Sequence, residues 1–188
     1  MKLLLIPLVI FSLNSFAEDC TYSVNSDQSK IKWTAFKTAK KVGVDGSFTK
    51  FSINTKKAAS ELDLIKGAKF TIDTTSVNTG NPARDKTIFN SFFSMNKKPI
   101  TLSGEVVSVN AKEAKVLFDF NGTKKEILMQ NTSTEGKIVL SSTIDMIEVG
   151  LGDSYNALHQ ACKTLHEGKT WTDVAITVEA PTTKKCSK

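Results

Sequence analysis

His159, Cys162 and His166 fall at i, i+3 and i+7, and they include both histidines of the chain. On a helix that spacing puts three ligating side chains on one face. Imidazole and thiolate together suit zinc, copper or nickel. One helix face seldom closes a coordination sphere. The plainer expectation is an exposed face beside an apolar stripe of Leu158, Ala161 and Leu165, with no metal bound. Arg84 is the single arginine of the sequence, and it stands next to Asp85. An arginine there either braces its helix, by a fork to Asp85 or to backbone carbonyls, or meets a polar group of a ligand. Catalytic signatures are missing: there is no Gly-x-Ser-x-Gly elbow, no glycine-rich phosphate loop and no Cys-x-x-Cys. Carboxylates are scattered over solvated strand faces, so no enzyme is expected.

Arg84 sits inside the most informative stretch, Phe70 to Phe93. Phe70 and Ile72 alternate with Thr71 and Asp73, a strand period. Thr79, Gly80 and Asn81 break the strand. Asn81 is a good N-cap, and Pro82 fits the first helical position, where its missing N–H costs nothing. Ile88, Phe89, Phe92 and Phe93 then form an apolar helical stripe. Phe89 and Phe93, at i and i+4, are expected to face the same way.

Around this stretch the chain reads as strand after strand. Ile31, Trp33 and Ala35 alternate with lysine and threonine, and a glycine-rich run from Val42 to Thr55 follows. Phe48 and Phe51 differ by an odd number, so a bulge must intervene if both face inward. Lys56 to Asp63 is a polar connection. A third strand spans Gly67 to Ser76, and Pro99 opens a fourth carrying Ile100, Leu102 and Val106. Val116, Phe118 and Phe120 alternate in the fifth, and Asn121-Gly122 signals a tight hairpin. Ile127 and Met129 mark the sixth, and Ile138, Leu140, Ile144 and Met146 the seventh. A helix from Ser154 to Glu167, capped by Asp153 or Ser154, precedes the eighth, with Val174, Ile176 and Val178. The tail from Pro181 onward is expected to be loose apart from any bridge at Cys186. Eight alternating strands and two short helices suggest an antiparallel barrel, although periodicity alone also admits a sandwich.

Lys2, the apolar run Leu3 to Phe11 and Ser15-Phe16-Ala17 form a signal peptide, residues 1–17, cut after Ala17. Residues 18–188 then form one exported, periplasmic domain. Ala17-Glu18-Asp19 is the wrong context for lipid attachment at Cys20. The net charge of +6 at pH 7 is carried almost entirely by lysine. That pattern and export argue against nucleic-acid binding and fit a transient contact with an anionic membrane surface. Export also permits a disulfide, and the three cysteines, Cys20, Cys162 and Cys186, cannot all pair within one chain.

Thr75-Ser76-Val77, Arg84-Asp85 and Phe92-Phe93 resemble the signature of the YceI-like family, bacterial proteins with a lipocalin-like barrel that bind polyisoprenoid or related lipids. Lys98-Pro99-Ile100-Thr101-Leu102 and Phe120-Asn121-Gly122-Thr123-Lys124 resemble two further family segments. Lys98 departs from the pattern by replacing a tyrosine, and the helix near Cys162 departs from it too. The resemblance selects an all-β, eight-stranded antiparallel lipocalin-like barrel. In such a barrel the first and last strands are neighbours, so Cys20–Cys186 is the expected bridge, with Cys20–Cys162 as its rival. It implies an apolar tunnel lined by Phe36, Phe70, Ile72, Phe89, Phe92, Phe93, Phe118, Phe120, Ile144 and Ile176. Arg84 and Asp85 would brace its mouth or meet a headgroup. The implied ligand is an isoprenoid lipid or quinone, with no covalent cofactor. A fatty acid or amide, or a metal-handling role, are the alternatives. Monomer and homodimer both remain open.

Overall fold

A computed structural model describes residues 19–95, 98–165 and 167–187 of the chain. The expected signal peptide lies outside the described residues, as does His166. Eleven antiparallel strands form the sheet: β1 (Asp19–Val24), β2 (Lys30–Lys37), β3 (Val42–Phe48), β4 (Phe51–Asn54), β5 (Lys69–Ile72), β6 (Val77–Asn78), β7 (Leu102–Val109), β8 (Glu113–Phe120), β9 (Thr123–Asn131), β10 (Lys137–Asp145) and β11 (Thr170–Ser187). Three helices accompany them. They are α1 (Glu61–Ile65), α2 (Pro82–Ile88), which runs on as a π turn over Phe89–Phe93, and α3 (Gly152–Cys162).

The count is eleven rather than the expected eight for a physical reason. β3 and β4 are halves of one run bent at Thr49 and Lys50, and β5 and β6 are halves of another, parted by the tight turn Thr74–Ser76. Phe48 opposes Val77 in the first halves, and Phe51 opposes Ile72 in the second. At the bend, Thr49 N–H donates to the Ser76 carbonyl (3.1 Å) and Asp73 N–H to the Lys50 carbonyl (3.1 Å). The strand order β4-β5-β7-β8-β9-β10-β11-β2-β3-β6 therefore curls back on itself. Counting each bent run once leaves the expected staves, and β1 is an addition. The bend also resets side-chain alternation, so Phe48 and Ile53 both face the interior despite their odd separation.

β8 and β10 bury the residues their alternation nominated, whereas Trp33, Ala35, Leu102, Val174, Ile176 and Val178 are half-buried. In β8, Ala114, Val116, Phe118 and Phe120 are buried while Lys115 and Leu117 face solvent. In β10 the buried set is Ile138, Leu140 and Ile144. The hairpin after β8 has positive φ at Asn121 (53°) and Gly122 (97°), which only such residues adopt at little cost.

Two expectations fail at the C-terminal side. α3 stops at Cys162 rather than Glu167. Lys163 N–H turns back to the Gln160 carbonyl (3.4 Å) and Leu165 N–H to that of Cys162 (2.8 Å). The expected apolar stripe does not form: Ala161 is exposed within the helix, and Leu165, beyond its end, is 70 % exposed. No side chain caps the start of α3, where Leu151 supplies only its carbonyl. The tail is not loose either. β11 continues to Ser187 and pairs with β1, which brings Cys20 directly opposite Cys186 in a disulfide.

That bridge links positions 166 residues apart. In the chain-entropy account, closing so long a loop is worth on the order of 4–5 kcal/mol. Cys20→Ser with Cys186→Ser should lower the urea midpoint to that of the reduced wild type. Equal midpoints for oxidised protein and double variant would show that the bridge adds nothing.

Glu179 on β11 joins three strands by accepting from Lys137 (2.8 Å) on β10 and Lys32 (2.5 Å) on β2. Those two hydrogen bonds hold its carboxyl down at about 2, against an ordinary 4.5. A carboxyl held down in the folded state stabilises it above the ordinary value, and the benefit fades as pH falls toward about 2. Glu179→Gln should therefore be less stable than wild type at neutral pH. In thermal melts at descending pH, the gap between the two should close between 4.5 and about 2.

Candidate functional site

Inside the barrel lie two chambers of about 200 Å³ and about 130 Å³. The upper one lies under α2 and α3, against β2 and β11, and the lower one runs down toward Ile65 and Ala68 beside α1. Six residues line both: Trp33, Phe48, Leu102, Phe120, Ile144 and Ile176. These six apolar side chains stand where the two chambers adjoin and form the waist between them. At the waist Trp33 pairs with Gly46 across the strands and lays its ring on that glycine. A Cβ at position 46 would sit 2.1 Å from Trp33 Cζ2. The Trp33 indole N–H is buried with no partner among the described residues.

The structure brings most of the sequence-derived lining set together. Phe36, Phe92 and Phe93 line the upper chamber, Phe70, Ile72 and Phe118 the lower one, and Phe120, Ile144 and Ile176 the waist. Phe70 meets Phe118 edge to face, with centroids 5.1 Å apart, and Phe118 stacks on Phe120 at 5.2 Å. Phe89 lines neither chamber; it packs against the core, half-buried. Phe89–Phe93 is a π turn rather than the expected continuation of the α-helix. Adjacent Phe92 and Phe93, and not Phe89 with Phe93, line the upper chamber, their rings edge to face at 5.0 Å. Tyr155, Leu158 and Trp171 also line the upper chamber, and the strand pattern gave no signal for them. They depend on how α3 lies across the mouth.

α2 is positioned as its sequence dictates: the Asn81 side chain accepts from Ala83 and Arg84 N–H (3.1 Å each), with Pro82 next. Arg84 reaches back to Thr79, donating from Nε to Oγ1 (2.8 Å) and from Nη2 to the carbonyl (3.2 Å). Thr79 in turn donates N–H (2.8 Å) and Oγ1–H (2.5 Å) to Asp85 Oδ1. The fork thus runs through Thr79 to Asp85 rather than directly. Arg84 also borders the upper chamber, alongside Lys37.

Of the helical metal trio, His159 and Cys162 line the same chamber. His159 Nδ1 lies 2.6 Å from Thr170 Oγ1, and Tyr155 Oη donates to the Thr170 carbonyl (3.0 Å). These bonds clamp α3 to the start of β11. Burial pushes the Cys162 thiol up, against an opposing pull from Lys37, and so keeps it protonated at neutral pH. Among the described residues no three histidine, cysteine or acidic side chains converge as metal ligands.

Arg84→Lys should remove the planar fork to Thr79 and cost about 1.5–3 kcal/mol, the range for hydrogen bonds to charged groups. A thermal melt reads this directly. An unchanged midpoint with less bound ligand would instead make Arg84 a headgroup contact.

Comparison with known proteins sets this geometry in context. No curated protein sequence matches the chain. Among solved structures, a polyisoprenoid binding domain from Saccharophagus degradans is 15 % identical, with a TM-score of 0.61, covering 85 % of this chain and 97 % of that one. BcnA of Burkholderia cenocepacia is 15 % identical at a TM-score of 0.62, covering 86 % and 99 %. The YCEI protein of Campylobacter jejuni is 20 % identical at 0.53, covering 78 % and 86 %. At these identities the likeness establishes the shared barrel fold. The YceI-like domain pattern itself matches residues 22–180, nearly the whole described barrel, and the chain therefore belongs to the YceI-like family.

Proposed function

We propose that this chain is an exported, periplasmic binding protein that holds one amphiphile with an isoprenoid-type tail, a polyprenyl chain or a quinone. The tail lies down the tunnel, and the polar end stays at the upper mouth beside Arg84 and Lys37. The observation that carries this reading is the waist: two small apolar chambers adjoin through six shared apolar residues, and a tail that parts those side chains occupies both. A long tail gains about 25 cal/mol for each Å² removed from water, before ordering costs, and needs length more than polar contacts. The relative from Saccharophagus degradans, described as polyisoprenoid binding, supports the same ligand class. A binding role without catalysis fits the polar groups at the mouth, since Arg84, Tyr155 and His159 each engage a neighbour in the protein.

The test is native mass spectrometry and lipid extraction on protein purified from its own host. The expected adduct has the mass of an isoprenoid lipid or quinone. A fatty-acid or amide mass would move the reading to that ligand class, and a metal-sized adduct lost on chelation would overturn it. Ile176→Phe narrows the waist. It should leave a folded β-rich protein, checked by circular dichroism, and cut the long-chain lipid that co-purifies. Undiminished long-chain lipid in that variant would remove the tunnel as the site.

A further inference from the structure

The upper chamber is bordered by two loops rich in lysine. One is the turn between β2 and β3, the other the connection from α3 to β11. They are tied together where Thr38 N–H donates to the Lys169 carbonyl (3.0 Å) and Trp171 Nε1 to the Thr38 carbonyl (2.9 Å). Lys41 lies 4.9 Å and Lys169 4.6 Å from the Trp171 ring centre. With Lys37, Lys40 and Lys163, these loops hold five lysines against two acids, Glu167 and Asp173. Among the described residues, Lys41 is the one of these that forms an ion pair, with Asp173 (2.6 Å). The other four ion pairs found among the described residues, those of Lys32, Lys69, Lys115 and Lys137, lie elsewhere on the barrel wall. The same two loops expose aliphatic side chains, Leu165 at 70 % and Val42 at 47 %. Of the acids on the connection from β10 to α3, Asp145 is engaged by the Thr172 hydroxyl and by the Ile147 and Glu148 N–H groups, so its charge is already held within the protein.

Unpaired lysines round a protruding aliphatic tip are the composition that settles on an anionic bilayer. The charges are drawn to lipid phosphates, and the apolar side chain enters the headgroup boundary. Lysine stems lie along the interface while their heads stay wet. A protein partner of acidic character would match the charge but would give Leu165, alone at a loop tip, no pocket. Resting on the tunnel as a lipid site, we propose that this rim is a docking face for anionic phospholipid membrane. Docking there sets the tunnel mouth against the bilayer, so that an amphiphile passes between them without crossing water.

The test is flotation of the purified protein with vesicles of phosphatidylglycerol and phosphatidylcholine, compared with phosphatidylcholine alone. Binding should require phosphatidylglycerol and weaken as salt rises. Each lysine lost from the rim should lower partition roughly fivefold, read on Lys40→Gln and on Lys40→Gln with Lys169→Gln. Leu165→Ser should lower it too; that side chain is too exposed for the change to threaten folding. Lys56→Gln with Lys57→Gln, which follow β4 at the opposite end, should change nothing. No binding to phosphatidylglycerol vesicles overturns the proposal, as does an equal loss in the Lys56/Lys57 variant. Ile176→Phe separates this face from the tunnel: it should lose lipid and still float. Wild type that carries no extractable lipid, yet floats through Lys40 and Lys169, removes the tunnel reading and supports the docking face.

Discussion

β11 hydrogen-bonds along both of its edges, and the rest of the molecule depends on that. One edge takes β10 along its whole length, from Lys137 opposite Pro181 to Asp145 opposite Asp173. The other takes β2 and then β1. The last strand is therefore the seam between the two ends of the chain. Without it β2 and β10 would be free sheet edges and the interior would open to water. Glu179 sits on this seam with one lysine from each neighbouring strand, and the disulfide fixes its far end. The register at the seam also places Val174, Ile176 and Val178 on the inner wall.

A barrel of this circumference leaves room inside that its own side chains do not fill. Close approaches keep that room in shape. Trp33 lies on Gly46 and Phe70 on Gly104, so large rings stand against strands that carry no side chain beneath them. The two helices over the upper end add a polar border to an apolar slot. Thr79 links Arg84 to Asp85 at one helix, and Thr170 holds Tyr155 and His159 at the other.

Much of this was legible in the sequence because it rests on local rules. Period-two alternation in β8 and β10 named the buried faces correctly, since a strand has only two faces to choose from. Asn81-Pro82 marked the start of α2 and Asn121-Gly122 a hairpin, since each meets a specific backbone need. What escaped depended on packing between distant elements. The π turn over Phe89–Phe93 has no marker in the residues themselves. Leu165 continued a helical pattern that the backbone abandons at Cys162. β1 and the end of β11 are polar ribbons whose pairing shows no alternation, and only the two cysteines hinted at it. Tyr155 and Trp171 became lining residues only once α3 was laid across the mouth.

The waist has a kinetic meaning as well as a spatial one. A chain that fills both chambers passes Trp33 and Phe120 end first, like a thread through an eyelet. Its motion there is one-dimensional, a sliding along its own contour. In polymer language this is reptation: friction adds up segment by segment, and residence time grows with chain length. For the long-tailed ligand proposed above, such a passage would sort by how slowly tails leave more than by how readily they arrive.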